Sequence, residues 1–372
     1  MNALVLGATG AMGRRVAAEL ARSDEVTSLT VAGREQARAE SVAALLGGAQ
    51  RNVRAITLNL DDADSLVSML RENDVAVSCC GPTYLFEASL VAAAVAAKVP
   101  YVSLFDDHMV LDQVMAHGAA AERAEVTIVT GCGLSPGITN LMAVLAAREL
   151  KEVAEIEVAV AASSADSEGP AAALHLLALM TSDAPFVSDH QASVAKAGTA
   201  PRPIFFPEPV GWAETFRVGH PEVVTLANRF PGLRSLSFRL GLTEKVAMDV
   251  LRASVATGLL KSERSRQKFS ALTGPVRPIL ERIPPRGAAW TSARVDVRGR
   301  SEGKAAGITL GVTDHLSNLA CIPLAVAAVE LGSKRTVRHG VNPPDEVFEP
   351  AAFFKKIGER GLRIARLQPY PV

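Results

Sequence analysis

The stretch Ala3-Leu4-Val5-Leu6-Gly7-Ala8-Thr9-Gly10-Ala11-Met12-Gly13 decides how this chain folds. Four apolar residues make a short buried strand, and glycine follows at once. Gly7 lets the chain turn sharply out of the strand. Gly10 lets backbone approach a pyrophosphate, and Gly13 lets the next helix pack on the strand. Arg14–Arg22 then shows helical spacing, with Val16, Leu20 and Ala21 on one face. A strand, a glycine turn and a helix with free N–H groups at its start point to a dinucleotide phosphate site; the alternative is an ordinary glycine turn in a flavodoxin-like or other Rossmann-type domain. The spacing is G-x-x-G-x-x-G, so its weight comes from this context rather than from the glycines alone.

Working outward, the pattern repeats. Strands are expected at Leu29–Ala32, Ala55–Leu58, Val75–Cys79, Tyr101–Leu104 and Val126–Val129. Helical stretches separate them, at Glu35–Leu46, after the cap-like Asp61-Asp62-Ala63-Asp64, at Phe86–Ala97 and at Met109–Ala124. Such alternation implies parallel βαβ units and a doubly wound Rossmann sheet, hence an α/β fold. The second strand ends Ala32-Gly33-Arg34. An acid there would bind a ribose 2′-hydroxyl, whereas an arginine can hold a 2′-phosphate bidentately. The expectation is NADP(H) in preference to NAD(H), with Arg34 as the reader. The alternative is a solvated surface arginine.

Two more strand ends run into backbone-permissive loops. One is Cys80-Gly81-Pro82-Thr83-Tyr84; the other is Gly131-Cys132-Gly133-Leu134-Ser135-Pro136-Gly137. The crevice of an open α/β sheet lies outside such carboxyl ends, and these loops are expected to wall the nicotinamide ring. Ser135 as N-cap with Pro136 at the first helical position is the plainer reading of the second loop. The expected cofactor-binding residues are Gly7, Thr9, Gly10, Ala11, Met12, Gly13, Arg34, Cys80, Gly81, Pro82, Gly131, Cys132, Gly133 and Pro136. Candidate acid/base groups are Tyr84, in the first loop, Asp106, after the fifth strand, and His175, in the apolar helical stretch Ala171–Met180. Each has a structural alternative: a packed tyrosine, a helix-capping acid beside Asp107, a core histidine. His220 shows no distinguishing pattern. No metal site is expected, because Cys79, Cys80, Cys132 and Cys321 lack ligand spacing.

Gly7–Gly13, Cys80-Gly81-Pro82 and above all Gly131-Cys132-Gly133-Leu134-Ser135-Pro136-Gly137 resemble the saccharopine dehydrogenase-like family. Phe206-Pro207-Glu208-Pro209-Val210-Gly211 with His220-Pro221-Glu222, and Gly340-Val341-Asn342-Pro343-Pro344 with Glu359-Arg360-Gly361-Leu362, resemble its middle and closing segments. The resemblance implies an NADP-binding Rossmann domain over residues 1–135. It implies an α+β middle domain with a mixed sheet over 136–317, for substrate and dimerisation. It further implies a segment, 318–372, returning to the Rossmann unit. It implies hydride transfer at a C–N bond of an amino-acid- or polyamine-like small molecule, and a homodimer. Enoyl reductases of the same family extend this to larger biosynthetic intermediates, and a non-catalytic NADP-binding sensor is a third reading. Saccharopine reductases carry an acid where Ser135 stands, which separates this chain from them.

In the middle region, Val153–Ala161 and Ser235–Gly241 read as strands and Val246–Leu260 as a helix. Thr291–Val297 and Ile308–Val312 read as a hairpin, Asn318–Leu331 as a helix and Ser182–Gly198 as irregular. Pro201, Pro203, Pro207 and Pro209 mark a loop or an edge strand. The basic stretch from Lys261 through Arg264, Arg266, Lys268, Arg277 and Arg282 to Arg286 has only Phe269 as a stacking partner, so it reads as a solvated face.

Composition bounds the rest. The chain has 372 residues, with 39 basic and 39 acidic side chains, and 48% are hydrophobic. That is ample for one or two folded domains. Zero net charge removes a general electrostatic drive toward nucleic acid or anionic membrane. No apolar run approaches the ~18 residues of a membrane span. The N-terminal apolar run is too short for a secretory leader, and four scattered cysteines fit a reducing, cytoplasmic setting.

Overall fold

The computed structural model describes residues 1–163, 166, 170–258, 260, 262, 264–268 and 289–367. These form two compact units, one of residues 1–138 with 317–360 and one of residues 139–316 with 361–372.

The first unit alternates strand and helix. Its strands are β1 (Asn2–Leu6), β2 (Ser28–Gly33), β3 (Val53–Thr57), β4 (Val75–Ser78), β5 (Tyr101–Ser103), β6 (Thr127–Val129) and the late β15 (Gly340–Asn342). The helices between them are α1 (Ala11–Ala21), α2 (Gln36–Leu45), α3 (Ala63–Arg71), α4 (Thr83–Ala97), α5 (Leu111–Met115) and α6 (Gly118–Arg123). The sheet order is β15-β6-β5-β4-β1-β2-β3, with every described pairing parallel. The chain thus winds outward from β1 in both directions, which is the doubly wound arrangement. β1, β2 and β4 are almost wholly buried, as strands covered on both faces must be. One covering element is α11 (Leu316–Gly332), buried along Leu319–Gly332. An apolar helix of that kind has no wet face to present. Gly332 brings it close to β1 and β4. A Cβ there would lie 2.4 Å from the Met1 sulfur and 3.0 Å from Val75 Cγ1.

The second unit, which takes in α7 (Ile138–Ala147) from Thr139 on, is built on a nine-stranded mixed sheet. Its strands are β7 (Glu152–Ala162), β8 (Asp183–Ser188), β9 (Gln191–Lys196), β10 (Thr199–Phe206), β11 (Gly211–Arg217), β12 (Ser235–Leu242), β13 (Thr291–Ser301), β14 (Lys304–Asp314) and β16 (Ala365–Leu367). The order is β10-β11-β12-β7-β13-β14-β16, with β8 pairing β12 and β9 pairing β8. β12 and β7 run parallel, and the other described pairs are antiparallel. Helices α8 (Pro170–Thr181), α9 (Pro221–Arg229) and α10 (Lys245–Ala256) belong here. Register places Arg294 opposite Ala159, Asp296 opposite Glu157 and Arg298 opposite Glu155, so one sheet face carries charge beside small side chains.

Three local expectations are corrected. Residues 182–198 are a β-hairpin, β8–β9, turning at Asp189 and His190, whose φ values are 49° and 65°. The single helix expected over Met109–Ala124 is a short 3₁₀ turn followed by α5 and α6, broken before Gly118. The helix after the Gly131–Gly137 loop opens at Ile138 and not at Pro136. Its loop first closes on itself: Gly133 N–H donates to the Pro136 carbonyl at 2.9 Å, and Ile138 N–H to the Gly133 carbonyl at 3.0 Å. Of the proline-marked stretch, Pro201 and Pro203 lie in the edge strand β10, and Pro207 and Pro209 in the turn that leads to β11. Of the basic stretch, Lys261, Arg277, Arg282 and Arg286, with Phe269, lie outside the described residues.

Candidate cofactor site

Gly10 is the N-cap of α1 and offers no side chain, so the first N–H groups of that helix have no capping partner. The turn before it is closed by Gly10 N–H donating to the Gly7 carbonyl at 3.0 Å. Gly13 lies directly over that carbonyl. A Cβ on it would sit 2.2 Å from Gly7 O and 2.8 Å from Ala8 Cα. Gly7 itself has φ +76° and passes against the Cys79 backbone. A helix N-terminus held this close to a strand crest aims free N–H groups and the positive end of the helix dipole outward, a geometry suited to an anion.

Thr9 is seated on the end of β2. A Cβ at Gly33 would lie 2.4 Å from its Cγ2. Arg34 comes next, exposed and in no ion pair among the described residues. Its positive charge pulls against the burial that pushes the Cys80 thiol up to about 12. Arg15 is otherwise engaged, 2.8 Å from Asn318 and 3.1 Å from Glu19, which leaves Arg14 exposed.

The Cys80–Tyr84 loop leads into α4, whose N-cap residue is Pro82. Proline cannot cap with a side chain, so the cap comes from elsewhere. Asp107, fully buried, accepts from Tyr84 N–H at 3.1 Å and Thr83 Oγ1 at 2.5 Å. Asp106 lies 2.9 Å from the same hydroxyl. The adjacent acids therefore do cap a helix, but the one that precedes them in the chain. Tyr84 and Asp106 are brought together at this turn; His175 is on α8, an element of the second unit.

The other loop is buried throughout except at half-buried Ser135. Gly131 needs its φ of +73°, since a Cβ would meet the Phe105 carbonyl at 2.8 Å. Cys132 N–H donates to the Ser103 carbonyl at 2.8 Å. The Cys132 thiol faces the Pro323 carbonyl at 3.9 Å, and burial raises its pKa. That thiol is no nucleophile.

Glu87 is a feature of this site that no motif marked. It sits one turn into α4, 1% exposed, and accepts from Tyr101 at 3.0 Å and Ser103 Oγ at 2.5 Å. Burial raises its pKa from 4.5 to about 7, against the two hydroxyls, with Asp106 and Asp107 adding to the rise. A lone acid inside the apolar run Tyr84–Ala97 was the available signal. Its proton is linked to folding. The folded value lies above the unfolded one, so the contribution is fully present below pH 4.5 and lost as pH rises to about 7. Denaturant unfolding should show up to about 3 kcal/mol lost across that window. Glu87→Gln should flatten it, and an unchanged slope in the variant would contradict the assignment.

The second unit holds its own buried polar groups. His220 stacks on Phe238, centroids 3.9 Å apart, with Nδ1 3.0 Å from Glu222 Oε2. The Thr139 hydroxyl donates to the other oxygen of Glu222. This acid-oriented imidazole is a further feature that spacing alone did not mark. On the charged sheet face, a cavity of about 460 Å³ is lined by Glu155, Arg234, Arg294, Asp296, Arg298 and Thr309 among others. Its charges are paired internally. Arg294 contacts Asp296 at 2.7 and 2.8 Å, and Arg298 approaches Glu155 at 3.6 Å.

Comparison with known proteins agrees with this geometry. Residues 3–129 match the family model described as the saccharopine dehydrogenase NADP binding domain. The match covers the strand–helix part of the first unit and about a third of the chain. It is 31% identical over 143 residues to the NADP(+), L-glutamate-forming saccharopine dehydrogenase of Saccharomyces cerevisiae, a stretch covering 38% of this chain and 29% of that one. It is 28% identical over 131 residues to the trans-acting enoyl reductase of Mycobacterium leprae, covering 35% and 31%. The match thus spans less than a third of either relative. The solved apo saccharopine dehydrogenase from S. cerevisiae has a similar fold at 18% identity, with TM-score 0.71 over 99% of this chain and 100% of that one. An amine dehydrogenase from Mycobacterium smegmatis shares the fold at 14% identity and TM-score 0.52, over 94% and 98%. Among the described residues, no helix is long and apolar enough to cross a membrane.

Proposed function

We propose that this protein is an NADP(H)-dependent oxidoreductase that moves a hydride to or from a C–N bond of an amino-acid- or polyamine-like small molecule. The observation that carries the reading is the uncapped start of α1 over the Gly7–Gly13 turn, with Arg34 where an NAD site would place an acid. In this reading residues 1–135, with the chain's return from 318, bind the cofactor, and 136–317 select the substrate. The phosphates rest on Gly10, Ala11, Met12 and Gly13, and Arg34 with Thr9 meets the 2′-phosphate. Cys80, Gly81 and Pro82 form one wall of the ring site, and Gly131, Cys132, Gly133 and Pro136 the other. The cofactor supplies the hydride; these residues orient the ring and exclude water. Tyr84 of the first loop and Asp106, after β5, are candidate proton donors, with His175 a candidate from the second unit. A protonated imine already carries positive charge, so its reduction asks little acid help.

A second reading, reduction of a carbon–carbon double bond, is favoured by the match to a trans-acting enoyl reductase. NADPH oxidation followed at 340 nm separates the two. Cyclic imines or mixtures of an oxo acid with an amine should be turned over and enoyl thioesters should not; the reverse result would install the second reading. A protein that binds NADPH tightly and reduces neither class would be a sensor and not an enzyme.

The resemblance also supports a homodimer through the sheet of the second unit. Light scattering should return twice the 39.1 kDa chain mass. A monomer at working concentration would refute it. Four cysteines, none in a disulfide, favour a reducing, cytoplasmic compartment. Neither a nucleic acid nor a membrane partner is part of this proposal.

A further inference from the structure

Glu87 lies under both walls of the proposed ring site. It is on α4, one turn beyond the Gly81-Pro82 loop, and its carboxyl is gripped by two hydroxyls of β5. One of those residues, Ser103, carries the carbonyl that receives Cys132 N–H from the second loop. A single buried carboxyl therefore connects the α4 wall, the β5 crest and the Gly131 wall.

We infer that Glu87 is a positioning residue whose proton is linked to the redox state of the bound cofactor, the neutral acid accompanying NADPH and the carboxylate accompanying NADP⁺. The inference rests on the cofactor reading above. Its physics is a charge difference. The nicotinamide ring is neutral when reduced and carries one positive charge when oxidised. A carboxylate shielded from water by 99% burial is stabilised by a cation at the adjoining walls and gains nothing from a neutral ring. By linkage, the cofactor that favours the carboxylate is itself favoured by it. When hydride leaves the reduced ring for the substrate, the only change at Glu87 is loss of the carboxyl proton to bulk water; no bond to carbon is made there. Its titration is centred at about pH 7, where both forms are populated.

Other ionisable groups surround it. Tyr101 is on β5, Asp106 and Asp107 follow that strand, and Cys80 lies at the end of β4. The elements packed on α4 add Asp64 and Arg71 of α3, His108 of the 3₁₀ turn and Asp112 of α5. A variant at Glu87 itself is what isolates its part from theirs.

The test is equilibrium binding of NADP⁺ and NADPH to the full chain at pH 6 and pH 8. The ratio of the NADP⁺ to the NADPH dissociation constant should fall roughly fivefold from the lower pH to the higher. In Glu87→Gln it should stay flat while both nucleotides still bind. Calorimetry on the unaltered protein, in two buffers of different ionisation enthalpy, covers the case in which that variant does not fold. At pH 7, NADPH binding should take up more protons than NADP⁺ binding. A flat ratio in the natural protein, equal proton uptake, or a slope that survives in Glu87→Gln overturns the inference and leaves the cofactor reading standing. Failure of either nucleotide to bind at any pH overturns both.

Discussion

Gly13→Ala is expected to abolish NADP(H) binding and to destabilise the first unit by roughly 4 kcal/mol or more. The added methyl would lie 2.2 Å from the Gly7 carbonyl oxygen and 2.8 Å from Ala8 Cα, and both neighbours are backbone. Backbone cannot swing aside as a side chain can. The helix must lift from the turn, and the N–H groups that would hold pyrophosphate move with it. Gly118→Ala is the control. It sits in the first turn of α6 with nothing within 4 Å of its Cβ position. That change should be neutral or stabilising by up to about 1 kcal/mol, because alanine favours helix. Paired denaturation curves and NADPH titrations check both. Normal binding by Gly13→Ala would show that the turn is not the phosphate site.

Arg34→Glu is the second large expectation. It removes a bidentate donor for the 2′-phosphate and puts a repelling charge in its place, so NADPH affinity should fall by roughly 100- to 1,000-fold. NADH lacks that phosphate, and the new acid can accept from the ribose hydroxyl. NADH affinity should therefore hold or rise, inverting the preference. Arg34 is exposed, so the fold should hold, and a thermal melt reports this directly. Equal loss for both cofactors would mean that Arg34 does not read the phosphate.

The first unit was legible because its signals are local. β1, the glycines and α1 stand in one short run, and the alternation after it keeps its period through β6. The hairpin β8–β9 was illegible for a definite reason. Gln191–Lys196 is largely exposed and shows little apolar alternation, and its turn uses Asp189 and His190 at positive φ, where Asn-Gly or Asp-Gly is the recognisable signal. The helix expected over Met109–Ala124 kept its composition but broke at His117-Gly118, where glycine weakens helix. At the site, the backbone-driven features could be read: glycines with steric work to do are visible as glycines. Glu87 could not. The run Tyr84–Ala97 shows a lone acid among apolar residues, but its partners do not show there, because Tyr101 and Ser103 arrive from another strand. His220 and Glu222 are adjacent enough to notice, yet their pairing depends on α9 starting at Pro221 and on Thr139 from α7. Contacts set by tertiary neighbours leave no spacing to find.

The neutral overall charge of the chain hides the asymmetry that matters. The first unit presents an uncapped helix start and an unpaired arginine at one strand crest, against buried acids at another. The proposed role of this crest is to bind NADP(H) in preference to NAD(H). One measurement tests that directly: titration of the purified chain with NADPH and with NADH, followed by calorimetry or cofactor fluorescence. NADPH should bind saturably and at least roughly tenfold tighter than NADH. NADH binding that is equal or tighter, or no binding of either, would contradict it.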